Sequence, residues 1–411
     1  MDNYDVIVIG AGPSGLLAAG RAAELGGKVL VLEKMKQEGR KLLITGKGRC
    51  NITNSASISD FIKVVYPNGR FLKRAFSNFY SKDIIELLER YNVKLVLERG
   101  GRYFPASNKA SDILEALLKW VKELNVEILC NSKVDKLISE DDIIKGVVVS
   151  GSQIFADRVI LTTGGKSYPA TGSTGDGYIL AKQVGHSVTN IRPALVPLET
   201  QGSLAKELQG LNIKNVTATV WVDGKKVADD FGEMIFTHFG LSGPIILTLS
   251  RVVVEELSKN KKVEITIDLK PALDELKLDK RLQRDINEHG KKKVANIFSY
   301  WLPSKMINPF IKLLDLDVDK ECNQISSKER KKIRYNLKNL HFVIDSARSF
   351  KEAIITAGGI PTSEISPKTM ESKIIKGLYF AGEIIDVDAK TGGYNLQIAF
   401  STGWTAGNSC L

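Results

Sequence analysis

Tyr4-Asp5-Val6-Ile7-Val8-Ile9 reads as a buried strand and runs straight into Gly10-Ala11-Gly12-Pro13-Ser14-Gly15. A helical pattern over 13–25 follows, and then a second apolar run, Lys28-Val29-Leu30-Val31-Leu32, that ends on Glu33. G-x-G-x-x-G between a strand and a helix has a physical meaning. Gly10 permits the tight turn, Gly12 lets backbone approach a pyrophosphate, and Gly15 lets the helix pack against the strand. The helix start offers free N–H groups and the positive end of its dipole to the phosphates. Glu33 is placed to accept hydrogen bonds from a ribose diol. The chain therefore predicts a βαβ opening that binds an adenine dinucleotide, and NAD and FAD both fit this half-site.

At 411 residues the chain has room for two or three domains. Its 43% apolar and 26% charged content is that of a globular protein. No stretch approaches the roughly 18 apolar residues of a membrane span. The amino end lacks the basic start of a signal peptide. Cys50, Cys130, Cys322 and Cys410 are scattered, with no C-x-x-C. That argues against a dithiol centre or paired-cysteine zinc site and for a reducing cytoplasm. His186, His289 and His341 show no metal-ligand spacing. The net charge is +11, and Lys320 to Leu340 alone holds seven basic and two acidic residues. A solvated helical face is the simpler reading of that run, because no aromatic residues alternate with its charges. The charge makes acidic partners or nucleic acid worth weighing, but the run alone does not call for nucleic acid, and the expected partner is a small-molecule substrate.

Along the chain, apolar strand ends meet glycine at Ile9-Gly10, Thr163-Gly164 and Ala381-Gly382. These are expected at the carboxyl edge of one parallel sheet, where ligands bind. Texture changes near Pro193 to an alternating, β-branched pattern, and from 271 to a helical one. The expected organisation is a discontinuous nucleotide-binding domain, 1–192 and 346–411. Between its halves lie an inserted β-rich domain, 193–270, and an inserted helical subdomain, 271–345. Gly172-Ser173-Thr174-Gly175-Asp176-Gly177 follows a loop, so no second fingerprint exists. One dinucleotide fold whose several strand ends converge suits a single large cofactor.

Gly39 to Asn54, GRKLLITGKGRCNITN, resembles the signature of a bacterial flavoprotein family, the NAD(FAD)-utilising dehydrogenases. Leu378 to Gly403, with Ala381-Gly382-Glu383 and Thr391-Gly392-Gly393-Tyr394-Asn395-Leu396-Gln397, resembles the same family's carboxyl-terminal flavin motif, and Thr237 to Pro244 also fits. The resemblance implies an α/β, glutathione-reductase-like FAD-binding Rossmann domain with an inserted β-barrel-like and helical domain. It implies that Ser14 and Gly15 meet the pyrophosphate, Glu33 the adenosine ribose and Lys34 the adenine end. Arg40, Lys41, Gly46, Arg49 and Asn51 would lie along the pyrophosphate and the isoalloxazine. Val134 would reach adenine through its backbone, and Thr163 and Gly164 would cross beneath the cofactor. Gly382 and Glu383 would approach the ribityl chain, and Asn395, Leu396 and Ala399 the pyrimidine edge. Relatives of that family include a 3-dehydro-bile-acid reductase and an aminoacetone oxidase.

Bland readings stand beside these. The basic loop could be solvated, Cys50 a small buried hydrophobe, and His238, Tyr168 and Tyr394 packing residues rather than proton donors. Three functions remain open from sequence. The first is an FAD enzyme that uses NAD(P)H as a transient co-substrate to reduce a conjugated C=C in an oxo compound. The second is an FAD-dependent oxidase of a small amine, producing hydrogen peroxide. The third is an RNA-binding or RNA-modifying flavoprotein, motivated by the 320–340 cluster.

Overall fold

The computed structural model describes residues 4–411. The chain divides into two compact units, Met1–Pro193 with Phe350–Leu411, and Ala194–Ser349.

In the first unit, strand Tyr4–Ile9 lies between Val29–Leu32 and the end of Ser152–Leu161, all parallel. Glu127–Leu129 extends the sheet on one side, and Leu378–Phe380 pairs with Val159–Leu161. The long strand Ser152–Leu161 does two jobs. Its first half closes an antiparallel meander with Ile143–Val149 and Val134–Glu140, and its second half enters the parallel sheet. Val6, Ile7 and Val8 are fully buried, as a strand covered on both faces requires. The fingerprint helix, Pro13–Glu24, opens with proline in its first turn and packs against the carboxyl-terminal helix, Tyr394–Ser409. That contact is backbone against backbone. A Cβ on Gly403 would sit 2.2 Å from the Ser14 carbonyl oxygen, and one on Gly407 2.3 Å from that of Ala18.

In the second unit six antiparallel strands close a barrel: Leu198–Thr200, Gly240–Ser242, Lys225–Phe236, Asn212–Val222, Val263–Asp268 and Leu340–Ala347. The final strand lies beyond the helical stretch, so the β-rich part is not confined to 193–270. Barrel residues such as Val220, Phe236 and Ile265 share one core with Leu282, Phe298, Phe310 and Leu337 of the helices. The division expected at 270 is therefore not a division between cores. The helix Ser327–Lys338 carries the basic run. Lys328 and Lys331 are exposed, as a solvated face predicts, but the other cations are answered within the protein. Arg330 pairs with Asp279 at 3.2 Å, Arg334 with Glu275 at 3.5 Å and Lys338 with Asp268 at 2.5 Å. Lys320 pairs with Glu329 at 2.7 Å, and Lys332 donates to the Leu314 carbonyl at 2.6 Å.

His186, after the helix Asp176–Gln183, pins the segment before strand Leu378–Phe380. Its side chain is fully buried, with Nδ1 2.8 Å from Glu364 and Nε2 2.8 Å from Ser372. Ser372 Oγ already accepts from the Ile374 and Ile375 N–H groups. Its hydroxyl proton therefore points to Nε2, leaving the Nδ1 proton for Glu364. Burial pushes the His186 imidazole down, and Glu364 only partly opposes it. The folded state thus favours neutral His186, and its stability falls once pH drops below the unfolded imidazole value of about 6.5. Urea unfolding should show stability declining as pH falls below about 6.5, at no more than about 1.4 kcal/mol per pH unit from this group. His186→Asn should flatten that decline, and an unchanged profile would assign it to other groups.

Candidate cofactor site

Three strand ends meet at one edge of the parallel sheet. Thr162 N–H donates to the Ile9 carbonyl at 3.0 Å, and Thr162 Oγ1 donates to the Gly10 carbonyl at 2.8 Å. Ala381 N–H donates to the Leu161 carbonyl at 3.0 Å. The fingerprint glycines are used in three different ways. Gly10 has a φ of 105°, open to glycine and strained for other residues. Gly15 allows close approach, because its Cβ would lie 1.9 Å from the Gly10 carbonyl oxygen. Gly12 is the opposite case: a Cβ there would meet no protein atom within 4 Å. Its neighbourhood is open space at the start of a helix that has no capping side chain and no acid in its first turn.

Glu33 is already held in place. One carboxylate oxygen accepts from the Ala11 N–H at 2.9 Å and the other from the Met35 N–H at 2.8 Å. Free lone pairs remain on both oxygens for a ribose diol. Lys34 binds Asp176 at 2.5 Å. Burial pushes the Asp176 carboxyl up, but Lys34 and Thr174 outweigh it and hold it below the usual carboxylate range. Val134 begins the meander, buried and opposite Val149.

Lys41, on the short helix Arg40–Ile44, reaches Glu383 and Ser167, each at 2.6 Å. The other Glu383 oxygen accepts from Ser167 Oγ at 2.9 Å and from the Thr356 N–H at 2.8 Å. Thr356 Oγ1 in turn accepts the N–H groups of Lys166 and Ser167. Glu383 therefore serves as the hub of a half-buried network joining four chain segments. Ser167 and Thr356 were not anticipated from sequence; a threonine inside the apolar run before Ala357-Gly358-Gly359 was the available signal.

The remaining predicted residues fall into groups. Gly46 sits in a left-handed turn with Lys47. Arg40 is half-buried on the same short helix as Lys41. Arg49 is engaged by the hairpin Leu95–Pro105, pairing with Glu98 and lying 4.2 Å over the Phe104 ring, and it donates to Asn108 just beyond it at 2.7 Å. Asn51 lies at the amino end of the carboxyl-terminal helix, where a Cβ on Gly393 would come within 2.9 Å of its Oδ1. That helix begins uncapped, with no acid in its first turn. Asn395 bonds back to Ala389, accepting from its N–H at 2.9 Å and donating to its carbonyl at 2.8 Å. Leu396 and Ala399 are half-exposed, and Gly382 packs between Ser14 and Ala399. Gly164 is left-handed, at φ 72°. Tyr394 packs edge-on against Phe61, with ring centres 4.6 Å apart. Burial pushes the phenols of Tyr394 and Tyr168 up, helped by Asp60 and Glu352 respectively. His238 is exposed in the barrel unit, edge-on to Phe239. Cys50 is fully buried and its thiol is pushed up to about 12 by burial, which makes it an inert packing residue.

Buried polar atoms are normally paired. Four buried side-chain oxygens among the described residues have no partner: Ser14 Oγ, Asn51 Oδ1, Thr163 Oγ1 and Thr200 Oγ1. Three of the four are predicted cofactor contacts. Together with the open space over Gly12 and the pre-oriented Glu33 carboxylate, they fit FAD.

The sequence matches the family described as HI0933-like protein Rossmann domain over residues 4–409. Among curated proteins it is 30% identical to a 3-dehydro-bile acid delta(4,6)-reductase of Clostridium scindens, covering 98% of each chain. It is 32% identical to a ribosomal RNA dihydrouridine synthase of Haemophilus influenzae, over 97% of this chain and 96% of that one. Among solved structures, the 3-ketosteroid-delta4-(5alpha)-dehydrogenase of Rhodococcus jostii RHA1 shares the fold, with a TM-score of 0.53 at 14% identity over 99% of this chain and 96% of that one.

Two substitutions separate cofactor contacts from packing. Gly12→Ala adds a methyl group where the protein has no atom, so apo stability should change little while FAD affinity falls at least about tenfold. Loss of apo stability in urea unfolding would show the space to be needed by the protein instead. Glu383→Ala strands Lys41, Ser167 Oγ and the Thr356 N–H, and should destabilise by about 2–3 kcal/mol. Glu383→Gln, which can still accept, should recover part of that loss.

Proposed function

The chain belongs to the HI0933-like Rossmann family of FAD-dependent oxidoreductases, and from that premise we propose that it reduces a carbon–carbon double bond conjugated to a carbonyl, using NAD(P)H. The observation that carries the cofactor is the set of unpartnered oxygens on Ser14, Asn51 and Thr163. The reaction class is supported by the two kinds of full-length relative. One is named for removing double bonds from an oxo steroid, the other for making dihydrouridine. Both names describe adding two hydrogens across a C=C next to a carbonyl.

When bound, FAD supplies the hydride, which it receives from NAD(P)H. The chain's own residues do the rest. Ser14 and the fingerprint helix hold the phosphates, and Glu33 the ribose. The uncapped start of helix Tyr394–Ser409 offers N–H donors to the electron-rich pyrimidine edge. Hydride adds at the carbon β to the carbonyl, and the α-carbon takes a proton from a positioned acid. Tyr168 and Tyr394 suit that role. Their phenols stay protonated at neutral pH, and neither hydroxyl has a hydrogen-bond partner among the described residues. NAD(P)H has no fingerprint of its own here and would dock transiently.

The nature of the substrate has two readings. A small oxo compound follows from the bile-acid relative. A uracil ring within RNA follows from the dihydrouridine synthase relatives and agrees with the net charge of +11.

Mixing the FAD-loaded protein with NADH or NADPH without oxygen should bleach the visible flavin band. A conjugated enone or uridine-containing RNA should then restore it. Failure of both nucleotides to bleach the band, with bleaching by a small amine, would replace this reading with an amine oxidase. Of Tyr168→Phe and Tyr394→Phe, the one that removes the acid should slow the restoring step by about a hundredfold while leaving the bleaching step intact, and neither doing so would exclude both phenols.

A further inference from the structure

We propose that an exposed aromatic and basic patch in the insertion, centred on His289, Lys292 and Tyr300, is a docking surface for single-stranded RNA. This rests on the RNA reading of the substrate. Tyr300 is 46% exposed, although most of its size is apolar ring. It stacks on His289 with ring centres 4.7 Å apart and planes 23° from parallel. Lys292 Nζ lies 5.4 Å from the ring centre and donates to the Tyr300 hydroxyl at 3.1 Å. Lys291 is exposed beside it and has no carboxylate partner among the described residues. Lys293 pairs with Asp319 at 2.6 Å. From Lys280 to Trp301 the chain carries six basic and two acidic residues.

The patch is also preformed. Lys292 N–H donates to the His289 carbonyl at 2.8 Å, while the Asn323 and Cys322 N–H groups hold the carbonyls of Gly290 and Lys292 at 3.0 and 2.9 Å. An aromatic platform with ammonium groups at its margin is the combination that holds single strands. Bases stack on the ring, at about 1–3 kcal/mol each, and phosphates meet the lysines with strong salt dependence. The more basic helix, Ser327–Lys338, is the weaker candidate. Arg330, Arg334 and Lys338 are spent on Asp279, Glu275 and Asp268, and Tyr335 on that helix, though 63% exposed, has neither a second ring nor a cation against it among the described residues. Charge density in the sequence points to one segment, and the geometry points to another.

The test uses the FAD-loaded full chain and a fluorescently labelled, uridine-rich RNA of about 20 nucleotides, followed by anisotropy at low and high salt. The wild type should bind at low salt. Lys291→Ala/Lys292→Ala/Tyr300→Ala together should weaken binding at least tenfold and make its salt dependence shallower, with flavin bleaching by NAD(P)H unchanged. Tyr300→Phe should retain most binding, and Lys328→Ala/Lys331→Ala should stay within about twofold of wild type. Binding by the triple variant equal to that of the wild type would overturn the patch while leaving the RNA reading intact. No binding by the wild type at low salt would overturn both.

Discussion

Close contact between backbones is the constraint on which the first unit depends. The fingerprint helix can reach the sheet only because nothing projects from Gly15 toward the Gly10 carbonyl. The carboxyl-terminal helix can reach the fingerprint helix only because nothing projects from Gly403 and Gly407 toward Ser14 and Ala18. Gly382 completes the set by packing on the Ser14 side chain. These contacts bring residues some 370–390 positions apart in sequence to one sheet edge. The cofactor site is thus a by-product of how two helices and three strand ends must meet once side chains are removed from the contacts. Interiors of this density transmit small changes, so a single methyl group at these positions would be felt in the site itself.

The second constraint is electrostatic. Glu383 gathers an ammonium, a hydroxyl and a peptide N–H from three other segments. Glu383 reaches across to Lys41 and Thr356. Lys41, on the signature loop, is thereby fixed by a residue near the far end of the chain. The two motifs that most resemble the flavoprotein family are joined directly by this ion pair, which gives their joint occurrence a structural reason.

Much of this was legible in the sequence, and for identifiable reasons. The strand–glycine–helix order of residues 4–33 is a local signal, and so are the apolar runs that stop at Gly164 and Gly382. The second-unit barrel was legible only in part. Strand Leu340–Ala347 is separated from its partner Val263–Asp268 by a helical stretch, and pairing across such a gap leaves no periodic trace. Side-chain roles were the least legible. Arg49 and Asn395 sit in cofactor-like motifs, yet each is tied to nearby protein groups that no spacing rule reveals. The solvated-face reading of Lys320 to Leu340 holds for Lys328 and Lys331 but not for Arg330, Arg334 and Lys338, whose acidic partners Asp279, Glu275 and Asp268 come from a different stretch of sequence.

That last point bears on how such a scaffold is matched to a substrate. Full-length relatives at about 30% identity are named for a steroid in one case and for ribosomal RNA in another. On the proposed reading, hydride transfer to the β-carbon of an enone-like system makes no demand on what surrounds the bond being reduced. On that reading, residues proposed to hold the dinucleotide need not change for recognition to be set elsewhere. A steroid would be recognised by an apolar cavity, a polynucleotide by exposed rings and unspent cations. Net charge alone does not separate the two, because an ion-paired lysine contributes to the total and little to the field outside. On the proposed reading, what matters in this chain is which of the cations that folding leaves without carboxylate partners stand beside a ring on which a base can stack.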